Sequence, residues 1–232
     1  MNEMIRKRKS IRKYDQAKLD EDVLARVREK IGDVRPLYPK VPYSIEIVDK
    51  AKGIFGVTAP HYLVFRSGEM DGYLENIGFV GQQMDLFFSA SGIGSCWLGV
   101  AKPESRDASA LPHVICMAFG APAEPLHREL SEFVRKGLSE MSEGSDPRLE
   151  AARLAPSARN AQNWFFAAAD GKIHCYRKAI NPISGLVMNR FSFIDMGIAL
   201  CHIAEESGDF TFVRDAGAPE RRGCIYMGTV GA

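Results

Sequence analysis

Apolar residues recur along this chain at two periods, and the period separates helices from strands. Val23, Leu24, Val27 and Ile31 form a helical stripe behind Asp20, an N-cap residue type followed by the acidic Glu21 and Asp22, and Gly32 stops it. Residues 43–48 and 61–65 read as strands, with a loop at 50–60 between them. The longest helical pattern runs over 72–91, where Leu74, Ile77, Val80, Gly81, Met84, Phe87 and Phe88 repeat at three and four. It predicts a central buried helix whose Met and Phe side chains are core. Gly92 and Gly94 end it. Short buried strands are expected at 96–100 and 113–119, then a charged helix over 129–142 and a polar link from Ser142 to Asp146.

The pattern then starts again. Pro147 suits a helix start, with Ser145 or Asp146 as cap, and that helix runs to Ala155. Residues 165–169 and 173–177 predict a hairpin around Asp170-Gly171. A second central helix covers 193–206 and ends at Gly208; strands follow at 210–213 and 224–230. Each part reads helix, two strands, central helix ended by glycine, strand, loop, strand. Asn76-Ile77-Gly78 aligns with Asp195-Met196-Gly197, and Val114–Ala118 with Cys224–Gly228, with Ile and Met in register. The expectation is an α+β fold in a three-layer-like arrangement. It has two internal repeats, 1–141 and 142–232, each with a mainly antiparallel sheet and helices, interlocked as one globular unit.

Composition narrows the function. The 232 residues are 46% hydrophobic and 25% charged, the balance of a soluble globular protein. A formal net charge of +1 provides no global field for nucleic acid. No run of about 18 apolar residues spans a membrane, and no apolar stretch follows the basic start, so no signal peptide is expected. The five cysteines are odd in number and scattered through apolar segments, which suits free thiols in a reducing cytoplasm. No Cys-x-x-Cys or paired-His spacing suggests a metal. The five histidines show no triad or metal spacing and read as structural or surface groups. No Gly-x-Gly-x-x-Gly follows a strand, which argues against a separate nicotinamide domain.

Two stretches carry candidate chemistry. Residues 1–14 hold six basic side chains. They read either as a solvated tail or weak nucleic-acid arm, or as an extended segment that puts Arg8, Ser10 and Arg12 on one face as a cup for a phosphate dianion. In the second stretch, Pro156 stops a helix, and Ser157, Asn160 and Gln162 then bring three hydrogen-bonding side chains within six residues of a strand at Trp164-Phe165-Phe166. That is either an ordinary polar loop or one built to hold a polar planar ligand.

Pro156-Ser157-Ala158-Arg159-Asn160-Ala161-Gln162, followed by Trp164, resembles the Pro-Ser-x-x-Asn-x-Gln-Pro-Trp loop of the nitroreductase family of FMN flavoproteins, with Asn163 where that family usually has proline. Arg8-Lys9-Ser10-Ile11-Arg12 is similar to its Arg-x-Ser-x-Arg opening. Gly92-Ile93-Gly94-Ser95-Cys96-Trp97 resembles its Gly-Leu-Gly-Ser-Cys-Trp strand, and Gly120-Ala121-Pro122 with Arg128 its C-terminal Gly-x-Pro and basic residue. The Pro-Ser-Ala loop normally lies early in the chain; here it follows the segment that should end the protein. Ordinary members are homodimers that build each FMN site from both subunits, so this order resembles the family's internally duplicated pseudo-dimers.

The resemblance implies roles. Arg8, Ser10 and Arg128 would bind the FMN phosphate, and Lys9 and Arg12 the phosphate or the N1/O2 edge of the ring. Backbone N–H groups at Gly94 and Ser95 would reach N5 or O4. Pro156, Ser157 and Ala158 would contact the flavin, and Asn160 and Gln162 would orient its ring or ribityl chain. The implied activity is hydride transfer from NAD(P)H through FMN to a nitroaromatic, quinone or similar small acceptor, with ping-pong kinetics and no obligatory protein acid or base, so that no side chain is expected to be catalytic, in a monomer with one FMN. The alternatives are a non-catalytic FMN-binding module and another flavin reaction such as reductive dehalogenation or flavin fragmentation.

Overall fold

In chain order the helices are α1 (Asn2–Ile5), α2 (Glu21–Asp33), α3 (Tyr73–Ala90), α4 (Leu138–Met141), α5 (Arg148–Leu154) and α6 (Pro182–Glu205). The strands are β1 (Tyr43–Val48), β2 (Ala51–Lys52), β3 (His61–Ser67), β4 (Gly94–Leu98), β5 (Lys102–Pro103), β6 (His113–Gly120), β7 (Ser142–Glu143), β8 (Trp164–Ala169), β9 (Lys172–Lys178), β10 (Phe212–Val213) and β11 (Cys224–Val230). These come from a computed structural model, which describes residues 2–53, 56–104, 111–180, 182–214 and 217–231.

Two sheets flank a central helix pair. The first has the order β1-β3-β6-β4 and the second β10-β11-β9-β8-β7. Matching β8 to β1, β9 to β3, β11 to β6 and β10 to β4 gives the two sheets one strand order, with every shared pair antiparallel. β7 is an addition, parallel to β8. α3 and α6 cross between the sheets and bury Ile77, Val80, Met84, Met196, Ile198 and Ile203 in one core. The 170–171 turn has both residues at positive φ, 51° and 73°, the twist a two-residue hairpin requires.

Several elements differ from the expectation. Asp20 occupies the N-cap of α2, but only its backbone carbonyl caps; the side chain makes no cap hydrogen bond. The 50–60 loop contains β2, paired to β5, and its residues 54 and 55 lie outside the described residues. α6 starts at Pro182, well before residue 193. The expected helix over 129–142 is a 3-10 turn at Leu130–Glu132 followed by α4. Two short caps interrupt it: Glu129 N–H donates to Glu132 and Gly137 N–H to Glu140. Between them the chain is tied to the 156–162 loop, because Lys136 N–H donates to Gln162 Oε1 at 2.9 Å. Those contacts outweigh the weak helical propensity of residues 133–137.

Candidate functional site

The N-terminal segment runs extended beside β4. Ile11 N–H donates to Ser95 O, Arg8 bridges to His127 and Tyr14 to Pro122, and the buried Ile11 side chain fixes which way the segment faces. Arg8, 1% exposed, packs inward with Nε 2.9 Å from Asp85 Oδ2. That nitrogen is not aligned as a hydrogen-bond donor, so the pair is Coulombic. Arg8 Nη2 donates to Ser10 Oγ at 3.2 Å, which sets the two side chains on one face.

Asp85 is the centre of a buried polar network on α3. Ser95 Oγ donates to its Oδ1 at 2.6 Å and Gln82 Nε2 to its Oδ2 at 2.9 Å. Gln82 also takes the Trp97 indole N–H on Oε1 and lies 3.1 Å from His202 Nε2, while His202 Nδ1 contacts Ala151 O. The network therefore joins the N-terminal segment to α5. A buried polar group costs free energy unless partnered, and here Asp85 answers the Arg8 charge.

Guanidinium groups gather next to it. Arg128 Nε donates to Arg8 O, and the Arg128 and Arg135 groups lie 3.6 and 5.6 Å from the Phe133 ring centre. Burial first, and then neighbouring guanidinium charges, push Arg128 and Arg135 each down to about 10, so both stay cationic at neutral pH. Arg8, Arg128 and Arg135 thus crowd together with one buried carboxylate among them, a donor set suited to an anion.

Ser10 links that cluster to a cavity of about 700 Å³ bounded by the first sheet, the 156–159 loop and α6. Ser10 and Arg12 form one edge. Cys96, Trp97, Gly99 and Val100 form the wall on the β4 side, and Pro156, Ser157, Ala158 and Arg159 face them. α6 supplies the floor with Phe191, Ile194, Asp195 and Ile198. Gly99 has no side chain because a Cβ there would meet the Phe191 ring at 2.9 Å. Backbone strain marks the loop: Arg159, Asn160 and Gln162 all have positive φ, at 54°, 56° and 49°, which costs about 1–2 kcal/mol per non-glycine residue. Two other clefts, of about 790 and 840 Å³, reach neither the N-terminal segment nor this loop.

The expected residues divide into three groups. Ser10, Arg12, Pro156, Ser157 and Ala158 line the cavity. Arg8 and Arg128 lie behind its cationic edge, and Lys9 is half-buried beside them in sequence. Gly94, Ser95, Asn160 and Gln162 do not line it. Gly94 packs on Ile11, and Ser95 is spent on Asp85 and Ile11. Asn160 takes Arg135 Nη1 on Oδ1 at 2.7 Å and donates to Val134 O at 2.8 Å, while Gln162 holds Lys136. These two side chains face away from the cavity and moor the strained loop. Asp85, Gln82, Trp97, Phe191 and Asp195 were not anticipated. The signal for the first two was polar residues inside an apolar helix pattern.

The molecule is thus an α+β protein of two like sheets, with a cationic-edged, apolar-walled cleft between the first sheet and α6. The chain belongs to the family described as "Putative TM nitroreductase", whose model matches residues 1–207. A solved structure from Thermotoga maritima MSB8, described as a putative nitroreductase, is 23% identical, covers 99% of this chain and 91% of its own, and superposes with a TM-score of 0.65, so the two share a fold. A nitroreductase family protein from Clostridium difficile 630 is 19% identical, covering 60% of this chain and 95% of its own with a TM-score of 0.47. An FMN-dependent nitroreductase from Clostridium difficile R20291 is 18% identical, covering 58% and 95% with a TM-score of 0.45. No curated protein matches the sequence. No group of metal-ligating side chains and no helix long and apolar enough to cross a membrane occurs among the described residues.

Proposed function

We propose that this chain is an FMN-dependent oxidoreductase that takes hydride from NAD(P)H and reduces a nitroaromatic, quinone or similar small acceptor by a ping-pong mechanism. The observation that carries the reading is the cavity itself: it brings Ser10 and Arg12 together with Pro156–Arg159, two motifs about 145 residues apart. Its size falls in the range of about 300–1,000 Å³ typical of small-ligand sites. The residues fit FMN at both ends. The guanidinium edge suits a phosphate dianion, and the apolar slot between Trp97 and Phe191 suits a flat ring.

When bound, the flavin supplies the two-electron chemistry. Ser10 and Arg12, backed by Arg8 and Arg128, would hold the phosphate by charge-assisted hydrogen bonds. Trp97, Phe191, Ile194 and Ile198 would keep water from the ring, and residues 156–159 line the same cavity. The Asp85–Gln82–His202 network fixes Trp97 through its indole N–H. No side chain has to deliver a proton for hydride to pass, so the cleft works by position and exclusion.

The repeated strand order supports a fused pseudo-dimer, residues 1–141 and 142–232, that acts as a monomer with one site. At the mirror position the Tyr38 ring meets Phe212 edge-on at 6.2 Å and Phe79 stacks on Phe210 at 5.6 Å, where the retained site has Ala158 and Ile198; Phe79, Phe210 and Phe212 line the cleft of about 840 Å³, which carries neither an Arg-x-Ser-x-Arg nor a Pro-Ser-x-x-Asn segment. Anaerobic addition of NADH or NADPH to the FMN-loaded chain tests the activity. Bleaching of the flavin band, and its return on adding a quinone or nitroaromatic, supports the reading; bound FMN that neither nucleotide bleaches refutes it.

A further inference from the structure

Asp195 sits on the floor of the cavity, 4% exposed, near the middle of α6. Its Oδ1 accepts the backbone N–H of Ala158 at 2.9 Å and so anchors the loop. Its Oδ2 is buried and has no hydrogen-bond partner. Asn76 on α3 holds the matching place in the other half. There Oδ1 accepts the backbone N–H of Tyr38, also at 2.9 Å, and Nδ2 is likewise buried without a partner. The device is the same in both halves: one side-chain oxygen ties down the loop, and the second polar atom is left over. In Asn76 that second atom can only donate. In Asp195 it is the unpartnered atom of a residue that lines a cavity, and a buried polar atom without a partner calls for a ligand atom or some other partner.

We propose, resting on the FMN reading above, that Asp195 is a flavin-contacting residue whose unpartnered Oδ2 carries a proton and donates a hydrogen bond to the ring, as the Asn76 amide could in the same position. Its surroundings favour the protonated form. Burial pushes the carboxyl up to about 7, opposed only in part by the Ala158 N–H. Arg12, Arg159 and Cys96 line the same cavity, Glu75 lies on the crossing helix and Arg177 packs on Phe193; none of them forms an ion pair with Asp195. Ionisation near neutral pH would turn the donor into an acceptor and withdraw the bond. The contact is therefore pH-gated, and an amide at 195 would hold it on.

Asp195→Asn is the informative variant, because Asn76 shows that an amide makes the anchoring bond. FMN dissociation constants are measured by fluorescence quenching for parent and variant, from mildly acid to mildly alkaline pH. Their ratio cancels the second ionisation of the phosphate, at about pH 6. The two proteins should bind alike on the acid side, and the parent should weaken by roughly three- to tenfold relative to the variant as pH rises through neutrality. A ratio that stays flat overturns the contact. Denaturation of the flavin-free proteins decides the proton separately. The folded carboxyl binds its proton more tightly than the unfolded one, so parent stability should fall relative to D195N as pH rises from about 4 towards 7; a constant difference overturns the protonated Asp195. A parent that shows this fall but binds no FMN at any pH sinks the flavin reading and the contact together. If D195N does not fold, difference infrared spectroscopy of the parent decides: a protonated-carboxyl band that shifts on adding FMN supports the contact, and one indifferent to FMN overturns it.

Discussion

Gly78 of α3 and Gly197 of α6 mark a reciprocal crossing. A Cβ on Gly78 would overlap the carbonyl oxygen of Ile194, three residues before Gly197, and a Cβ on Gly197 would overlap that of Glu75, three residues before Gly78. Each glycine also faces the backbone N–H one residue past the other, Ile198 for Gly78 and Phe79 for Gly197. The helices meet backbone to backbone about a local twofold, which small residues alone permit. Gly78→Ala and Gly197→Ala should each destabilise the fold by about 3 kcal/mol or more, because backbone rather than a flexible side chain must move. Gly32, in α2 with nothing within 4 Å of its would-be Cβ, is the control: Gly32→Ala should be neutral or stabilise by about 0.5–1 kcal/mol. Urea denaturation of the three variants gives the comparison.

Arg128 separates phosphate binding from general stability better than Arg8 does. Removing Arg8 strands Asp85 in the core, a loss of about 3–5 kcal/mol in folding, so a flavin-binding defect there would be uninformative. Arg128 is half-exposed and has no carboxylate partner within salt-bridge distance among the described residues. Arg128→Ala should weaken FMN by about ten- to a hundredfold and leave riboflavin, which has no phosphate, unchanged. Equal losses for the two ligands in a fluorescence titration would remove the phosphate role.

Asn160 moors the loop through Arg135 and Val134. Asn160→Ala loses the bonds to Arg135 and Val134 and leaves an alanine at φ 56°, at a stability cost of about 1–2 kcal/mol. Asn160→Gly accepts the φ but not the bonds, and should fall between alanine and parent in thermal denaturation. Alanine and glycine of equal stability would mean that the backbone strain contributes nothing.

His202 should make the fold acid-sensitive. Burial lowers its pKa from 6.5 to about 3, so the folded chain keeps it neutral. Below pH 6.5 the unfolded chain takes up a proton that the folded chain refuses, and stability falls as pH drops towards 3. Asp195 and Glu75, each raised to about 7 chiefly by burial, act in the opposite direction over part of that range. The contribution of His202 is therefore read as the difference between parent and His202→Gln, which should narrow on the acid side. A difference independent of pH would place the proton elsewhere.

The apolar pattern made the frame legible: α3, the strands at 43–48 and 224–230, the 170–171 hairpin and the parallel between 76–78 and 195–197 all follow from period and turn chemistry. What it could not show was which way polar side chains face. Asn160 and Gln162 belong to a motif with ligand-like chemistry, yet three left-handed residues turn them outward onto 134–136. Asp85 and Asp195 are polar residues inside apolar helix patterns, and only their partners, Arg8 and Ala158, give them roles. The break at 129–142 depended on tertiary bonds to the 156–162 loop that no local propensity encodes.

The central claim is that one flavin sits in the cleft where the two halves of a single chain meet. Titrating the purified chain with FMN while following flavin absorbance, with the mass of the complex measured by light scattering, tests it directly. Saturation is expected at one FMN per chain in a monomer. Two FMN per chain, or a dimer that loses its flavin whenever it dissociates, would contradict it.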